Sequence, residues 1–324
     1  MNILDDIKKL LGDDWVRFEE FFRETLQNKV DLLNTVNNYL LEHRGKQLRP
    51  VLTLLTANSF SACGQPALVA AAIVEIVHTA SLLHDDVVDN ADRRRGAASV
   101  KRIWRSNIAV LTGDYWFARA FQVMTKYKET RLLPWFNACM VAMTEGEIWQ
   151  LEKAQKLDIT EDDYYQIIGR KTAELLALSM ACGAIVANVD EAVAKRIYDI
   201  GYLMGMAFQI RDDIFDYEQH NQSGKPAGND IRERKITLPL LYALRQAGEK
   251  EREDILRHIR HAARKTRSVT KVIRFVHRHK GQEYAEKVML EYSGKAIAML
   301  QELPGTPYRA ALIDLAKFMT TRRK

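Results

Sequence analysis

The chain is poor in the residues that staple or punctuate small folds. Its 324 residues include only three cysteines, seven prolines and sixteen glycines. Cys63, Cys139 and Cys182 are odd in number, lie far apart and sit in apolar surroundings. That pattern excludes a disulfide framework and fits packed thiols in a reducing compartment. Few glycines and prolines mean long regular elements with few turns, and no period-two alternation calls for a strand. The start, Met1-Asn2-Ile3-Leu4-Asp5-Asp6, lacks the basic-then-apolar order of a signal peptide. No apolar run reads as long enough to span a bilayer, so a soluble, cytoplasmic protein is expected.

What is present is 47% hydrophobic and 28% charged, with a formal net charge of +6 and a pI near 9.1. Basic charge points to an anionic partner. The densest basic run, Arg257 to Lys280, nevertheless reads as helix surface and not as a stripe interleaved with aromatics, so nucleic acid is not expected.

Helical periodicity begins at once, with Trp15, Phe18, Phe21, Phe22 and Leu26 at i, i+3, i+4 spacing. A second stripe ends near Gly45, read as a C-cap, and Pro50 suits the first turn of the next helix. Gln65 to Asp89 is apolar until its end and should be a helix buried all round. Further helices are expected at about Ile108 to Lys126, Leu132 to Lys156, Thr160 to Ile168, Thr172 to Ala187, Glu191 to Tyr217 and Leu238 to Leu244, with more before Lys324. Glu218 to Lys235 is polar and reads as a functional loop. The whole, residues 1–324, reads as one all-α domain.

Two stretches stand out: His84-Asp85-Asp86-Val87-Val88-Asp89 and Arg211-Asp212-Asp213-Ile214-Phe215-Asp216. On helices, each aspartate triplet gathers negative charge on one rim, at the dipole end that disfavours anions. Carboxylates so crowded repel one another and need a cation. Hard oxygen ligands favour magnesium, which also bridges phosphates. His84 reads as a packed histidine, or one behind the metal's own ligands, in preference to a ligand.

Cations accompany the carboxylates. Lys46 and Arg49 stand three apart at a helix start, Arg94 and Arg95 follow the first triplet, Lys171 and Thr172 are read as opening a helix, and Lys225 and Lys235 bracket the loop after the second triplet. Helix N-termini and convergent Lys and Arg suit phosphate. The set implies two diphosphates, one of them metal-bound.

These motifs, in order, resemble the trans-isoprenyl diphosphate synthases: Gly45-Lys46 with Arg49-Pro50, Asp85-Asp86 to Asp89 with Arg94-Arg95-Gly96, Asp212-Asp213 to Asp216, Gly224-Lys225 with Gly228 and Asp230, and Lys235-Ile236-Thr237-Leu238-Pro239. The resemblance, which includes the long-chain octaprenyl and solanesyl types, implies an isoprenoid-synthase helical bundle around a deep cavity and a homodimer that adds isopentenyl diphosphate to an allylic diphosphate. By matching positions, Asp85, Asp86 and Asp89 would bind two magnesium ions and Asp212 a third, supported by Asp213 and Asp216, with manganese as the alternative ion. Lys46, Arg49, His78 and Arg95 would hold isopentenyl diphosphate. Arg94, Lys171, Lys225 and Lys235 would hold the allylic diphosphate, with Thr172 and Gln209 near the reacting carbons. Arg234 departs from the family, which often has glycine there.

A growing tail would run back along the helix that ends at Asp89, at about 5.4 Å per turn. Ala80 and Ser81, one turn before Asp85, are small and leave the way open; Val77, Ile76 and Ile73 follow. Trp135 or Phe136 could form a floor, although ordinary core is the favoured reading. The product is expected to be long, about seven to ten isoprene units by this turn counting, of the quinone side-chain kind, with peripheral membrane contact for its release. A farnesyl or geranylgeranyl diphosphate synthase and a terpene cyclase are the alternatives. The basic end Arg322-Arg323-Lys324 is read as a frayed tail in preference to a cover over the site.

Overall fold

The computed structural model describes residues 3–218, 228–262 and 265–322. The aromatic stripe at the N-terminus builds α2 (Asp13–Thr25), on which Trp15, Phe18, Phe21 and Phe22 are all buried. Before it, α1 (Ile3–Leu11) buries Leu4, Ile7 and Leu11. Next come α3 (Asp31–Glu42) and α4 (Leu48–Phe60), with Pro50 in the first turn of α4. Gly45 is not the cap of α3, which His43 closes; its role lies in the site described below.

The apolar run forms α5 (Gln65–Val88), capped by Asp89. At 24 residues it is long and apolar enough to cross a bilayer, contrary to the sequence reading. A helix buried on all sides needs the same uniform apolarity as a membrane span, and 72% of its most apolar window is buried within the chain. The basic loop after it also departs from expectation, because β1 (Arg93–Arg94) pairs antiparallel with β2 (Ala97–Ala98). Arg95 and Gly96 connect them with φ of 52° and 82°, the two positive values that a type I′ hairpin turn requires.

Ser99 caps α6 (Val100–Lys126), its Oγ accepting from Arg102 N at 3.2 Å. A break at Arg105 (φ 74°, ψ 165°) separates its first turn from the part the sequence reading located from Ile108. A 3₁₀ turn (Thr130–Leu132) leads into α7 (Leu133–Lys156). A capping box between Thr160 and Asp163 starts α8 (Glu161–Ile168). No new helix opens at Lys171 and Thr172. A π-helical turn, Gly169–Ala173, carries α8 directly into α9 (Glu174–Val186).

The chain continues through α10 (Glu191–Phe215), α11 (Asn229–Arg232), α12 (Leu238–Gln246), α13 (Glu249–Arg260), α14 (Thr266–Arg278), α15 (Gly281–Gln301) and α16 (Pro307–Thr321). The basic stretch on α13 and α14 is a solvated, ion-paired surface as read: Arg278 donates to Glu251 at 2.8 Å and Lys271 to Asp254 at 2.5 Å. All three cysteines are free, and burial pushes the Cys182 thiol up to about 12.

Two compact units divide the chain. The first comprises Met1–Asn137, Leu178–Tyr198 and Leu303–Leu315; the second comprises Ala138–Ala177, Asp199–Glu302 and Ala316–Lys324. In the first, α5 packs most extensively against α6 and also against α4 and α2. In the second, α12 packs on α15, and α14 on α13 and α15, around Tyr217, Leu240, Val272 and Phe275.

Candidate active site

In the first unit, α5 delivers Asp85, Asp86 and Asp89 to its C-terminal end. Asp86 is 4% exposed, and the hairpin folds Arg94 back onto it: Nη2 lies 2.6 Å and Nε 2.8 Å from Asp86 Oδ1. Burial raises the Asp86 carboxyl above its ordinary range, and Arg94 opposes that rise. Arg94 was expected at the allylic diphosphate and Asp86 at the metal; here each is the other's partner. Tyr39 Oη anchors the hairpin by donating to Ala98 O at 2.6 Å.

Beside this pair lies a cavity of about 50 Å³ lined by Glu75, Thr79, Asp86, Arg44, Arg94 and Arg95. Gly45 earns its place here by close approach, since a Cβ would stand 2.5 Å from the Arg95 guanidinium carbon. Arg95 in turn puts Nη2 3.4 Å from His78 Nε2. Burial drives the His78 ring well below its ordinary value, and the fields of Arg49 and Arg95 add to the fall. Of the four residues expected at isopentenyl diphosphate, the structure brings His78 and Arg95 together, with Gly45 against Arg95. Lys46 is exposed in the turn before α4, and Arg49 lies in that helix's first turn.

His84 is partly exposed beside α6. Its Nε2 sits 3.1 Å from Val110 O and 3.3 Å from Asp114 Oδ1, and Gly113 leaves it room. Val77 and Ala80 are fully buried, whereas Ser81 is half-buried and donates to His78 O at 2.8 Å. Phe136 belongs to the core, edge-on to Phe121 at 5.4 Å, and Trp135 packs on Tyr198.

In the second unit, a cavity of about 110 Å³ is lined by Lys171, Thr172, Gln209, Asp213, Asp230 and Lys235, together with Tyr164. A chain of hydrogen bonds runs along it. Thr172 Oγ1 donates to Gln209 Oε1 at 2.8 Å, Gln209 Nε2 to Asp213 Oδ1 at 2.7 Å, and Tyr164 Oη to Asp213 Oδ2 at 2.7 Å. Burial pushes the Asp213 carboxyl up to about 7, against the pull of those two donors. Lys171 donates to Gln150 at 2.7 Å and pairs with Glu147; Lys235 donates to Glu233 at 2.6 Å. Lys171 and Thr172 therefore reach the cavity from a π-helical turn and not through the helix N-terminus expected for them.

Asp216 points away, its carboxylate accepting from the backbone N–H of Asn229 at 2.8 Å and of Asp230 at 3.0 Å. Burial raises the carboxyls of Asp216 and Asp230, the latter well above its ordinary value. Arg322 is no frayed tail. It donates to Asp212 Oδ1 at 2.5 Å and lies 3.8 Å over the Phe208 ring. Lys225, Arg323 and Lys324 lie outside the described residues. Arg234, at the family's glycine position, has φ of +60° and donates to Arg260 O at 3.2 Å, away from the cavity. That positive φ explains why glycine suits the position.

The donor set is hard carboxylate oxygen, which suits magnesium. Among the described residues no three His, Cys, Asp or Glu side chains converge into a ready-made cage. Two residues of the site escaped the sequence reading. Tyr164 carries no local motif, and Glu75 is a lone acid inside an apolar run, a signal that could have been noticed.

A family model for polyprenyl synthetases matches residues 30–276. The chain is 35% identical to the octaprenyl diphosphate synthase of Escherichia coli over 320 residues, covering 98% of this chain and 99% of that one. It is 36% identical over 322 residues to the geranyl-diphosphate-specific all-trans-nonaprenyl-diphosphate synthase of Rhodobacter capsulatus, covering 98% and 97%. Among solved structures, polyprenyl synthase from Caulobacter crescentus, complexed with calcium and isoprenyl diphosphate, superposes with a TM-score of 0.93 at 34% identity, covering 99% of this chain and 98% of that one. The chain has the helical isoprenoid-synthase fold and belongs to the polyprenyl synthetase family. Its class of activity is that of a trans-polyprenyl diphosphate synthase, a prenyltransferase.

Proposed function

We propose that this chain condenses isopentenyl diphosphate with an allylic prenyl diphosphate and extends it to a long all-trans product of the quinone side-chain kind. The observation that carries this reading is the full-length likeness to octaprenyl and nonaprenyl synthases in a chain that keeps both aspartate triplets. Residues 1–324 act in this reading as one catalytic domain in the cytoplasm, with peripheral membrane contact for product release.

Magnesium, or manganese in its place, would be held by Asp85, Asp86 and Asp89 and by Asp212, with Asp213 and Asp216 in support. Bound metal would neutralise the diphosphate as it leaves. The complex of the Caulobacter relative with calcium and isoprenyl diphosphate supports a role for a divalent ion in this reading. Lys171, Lys235, Arg94 and Lys225 would hold the allylic diphosphate. They share its charge as the carbon–oxygen bond breaks, which lowers the cost of forming the allylic cation. Thr172 and Gln209 line the cavity where that cation would form, while Lys46, Arg49, His78 and Arg95 would hold isopentenyl diphosphate so that its alkene attacks the cation. The new cation then loses a proton to the departing diphosphate, which restores the double bond. No protein nucleophile is needed.

A second copy of the chain is the proposed partner. Leu111 and Phe121 on α6 are 62% and 41% exposed, and Val141 and Ile148 on α7 are 51% and 61% exposed, an unusual number of large apolar side chains for two helices to leave in water.

The test is a product assay on the purified chain with isopentenyl diphosphate and farnesyl or geranylgeranyl diphosphate. A long polyprenyl diphosphate is expected; elongation of the primer that stops at geranylgeranyl diphosphate or one unit beyond it overturns the product assignment. A hydrocarbon formed from a single prenyl diphosphate would indicate a cyclase.

A further inference from the structure

Glu75 is the one acid in the apolar run of α5 between Ala67 and Val77. It is 2% exposed, and its neighbours Val74 and Ile76 are fully buried. An uncompensated carboxylate at such depth costs several kcal/mol, so something must hold it there. Its Oε2 is buried with no hydrogen-bond partner, so a direct bond at that atom is not the compensation. What surrounds it is positive charge. Glu75 lines the cavity that Arg44 and Arg95 line; burial raises its carboxyl above the ordinary range, and the fields of Arg49, Arg95, Arg44 and Lys8 oppose that rise.

The geometry ties this carboxylate to one side of the pocket. Glu75 stands three residues before His78, so the two share a face of α5. His78 is in contact with the Arg95 guanidinium, which rests on Gly45. Arg95 itself keeps solvent contact at the tip of the hairpin, in reach of an arriving anion, while Glu75 lines the same cavity from the buried helix. Arg94, by contrast, is already taken by Asp86. Without a buried negative charge, several guanidinium groups would repel one another across the cavity.

We propose that Glu75 is a positioning residue for isopentenyl diphosphate, its buried carboxylate holding Arg95 in place across the cavity they share before the diphosphate arrives. This rests on the assignment of Arg95 to that substrate made above. Glu75 touches no substrate. It sets where the cations stand, and the diphosphate supplies the second negative charge that completes their neutralisation.

Steady-state kinetics with each substrate varied in turn tests this on Glu75→Gln, Glu75→Asp and Arg95→Lys. Glu75→Gln should raise KM for isopentenyl diphosphate about tenfold, the scale of one lost charge-assisted contact. KM for the allylic substrate and kcat should stay within about threefold, and Glu75→Asp, which keeps the charge, should recover most of the loss. If Glu75→Gln does not fold, Glu75→Asp must show the same selectivity in smaller measure. A purely structural role would move both KM values or neither, and either result overturns the inference. If Arg95→Lys selectively weakens isopentenyl diphosphate and the Glu75 variants do not, the inference fails and the site assignment stands. If Arg95→Lys is not selective, the assignment falls and the inference with it.

Discussion

Arg322 places its guanidinium 2.5 Å from Asp212 Oδ1, so the C-terminal end of the described chain supplies a cation to the second aspartate triplet. Its own backbone carbonyl accepts from Arg211 at 3.2 Å, and its plane lies over Phe208. A metal at Asp212 would compete with that guanidinium for the same oxygen. A partly exposed ion pair is worth about 0.2–1 kcal/mol, so Arg322→Gln should lower the magnesium concentration for half-maximal turnover by up to about fivefold. A magnesium titration of initial rates reads this, and an unchanged midpoint refutes it.

Tyr164 and Gln209 between them satisfy both oxygens of Asp213. Removing one donor from a buried carboxylate costs about 1–3 kcal/mol. Tyr164→Phe should therefore lower kcat/KM for the allylic substrate by about tenfold or more, with isopentenyl diphosphate binding unaffected. Equal kinetics for variant and parent would show that Asp213 needs no such support.

His78 is held neutral by burial and by the neighbouring arginines, so its folded value is depressed below that of the unfolded chain, about 6.5. For a depressed group the stabilisation is complete above the unfolded value and is lost as pH falls towards the folded one. Thermal unfolding from pH 8 to pH 5 should show the parent losing stability below about 6.5, and His78→Gln losing visibly less. Parallel curves for the two proteins would contradict this.

Product length offers a test that the burial pattern refines. Ala80 is fully buried, and overpacking such a site costs about 1–3 kcal/mol, which confounds Ala80→Phe. Ser81 is half-buried, and its hydroxyl bonds only within its own helix, so Ser81→Phe is the better probe. Chromatography of the products should show a shorter chain with condensation retained; an unchanged length removes Ser81 as a determinant.

Arg234 holds φ of +60°, which costs a residue with a Cβ about 1–2 kcal/mol. Arg234→Gly should leave turnover near that of the parent and alter stability by no more than about 1 kcal/mol, because strain relief offsets the lost bond to Arg260 and the greater freedom of the unfolded chain. Chemical denaturation measures this directly.

The sequence alone reveals α2, α5 and both triplets because their signals are periodic or repeated: Phe18 and Phe22 fall on one face, and two Asp-Asp pairs each precede a third aspartate by the same interval. It misleads where tertiary packing overrides local cues. Gly45 resembles a C-cap by position, yet its lack of a Cβ serves Arg95, fifty residues away in the chain. The run through Gly169 resembles a helix boundary because glycine punctuates helices. Here its bare Cα instead lets Tyr202 approach, since a Cβ would meet the Tyr202 hydroxyl at 2.1 Å. Tyr164 donates to Asp213, 49 residues further on, and the arginines that share the cavity of Glu75 come from other elements, so periodicity could not reveal their role. Arg322 finds its aspartate 110 residues earlier in the chain.

The π-helical turn at Gly169–Ala173 has one further consequence. Such a turn accommodates one residue more than an α-helix would, and at 3.6 residues per turn each residue advances the helix by about 100°. Deleting a single residue there would let the backbone close into an ordinary α-helix. Everything up to Lys171 would then lose its angular register with everything beyond Thr172. The cavity in the second unit is therefore phased by one surplus residue, a form of specificity encoded in residue count and not in residue type.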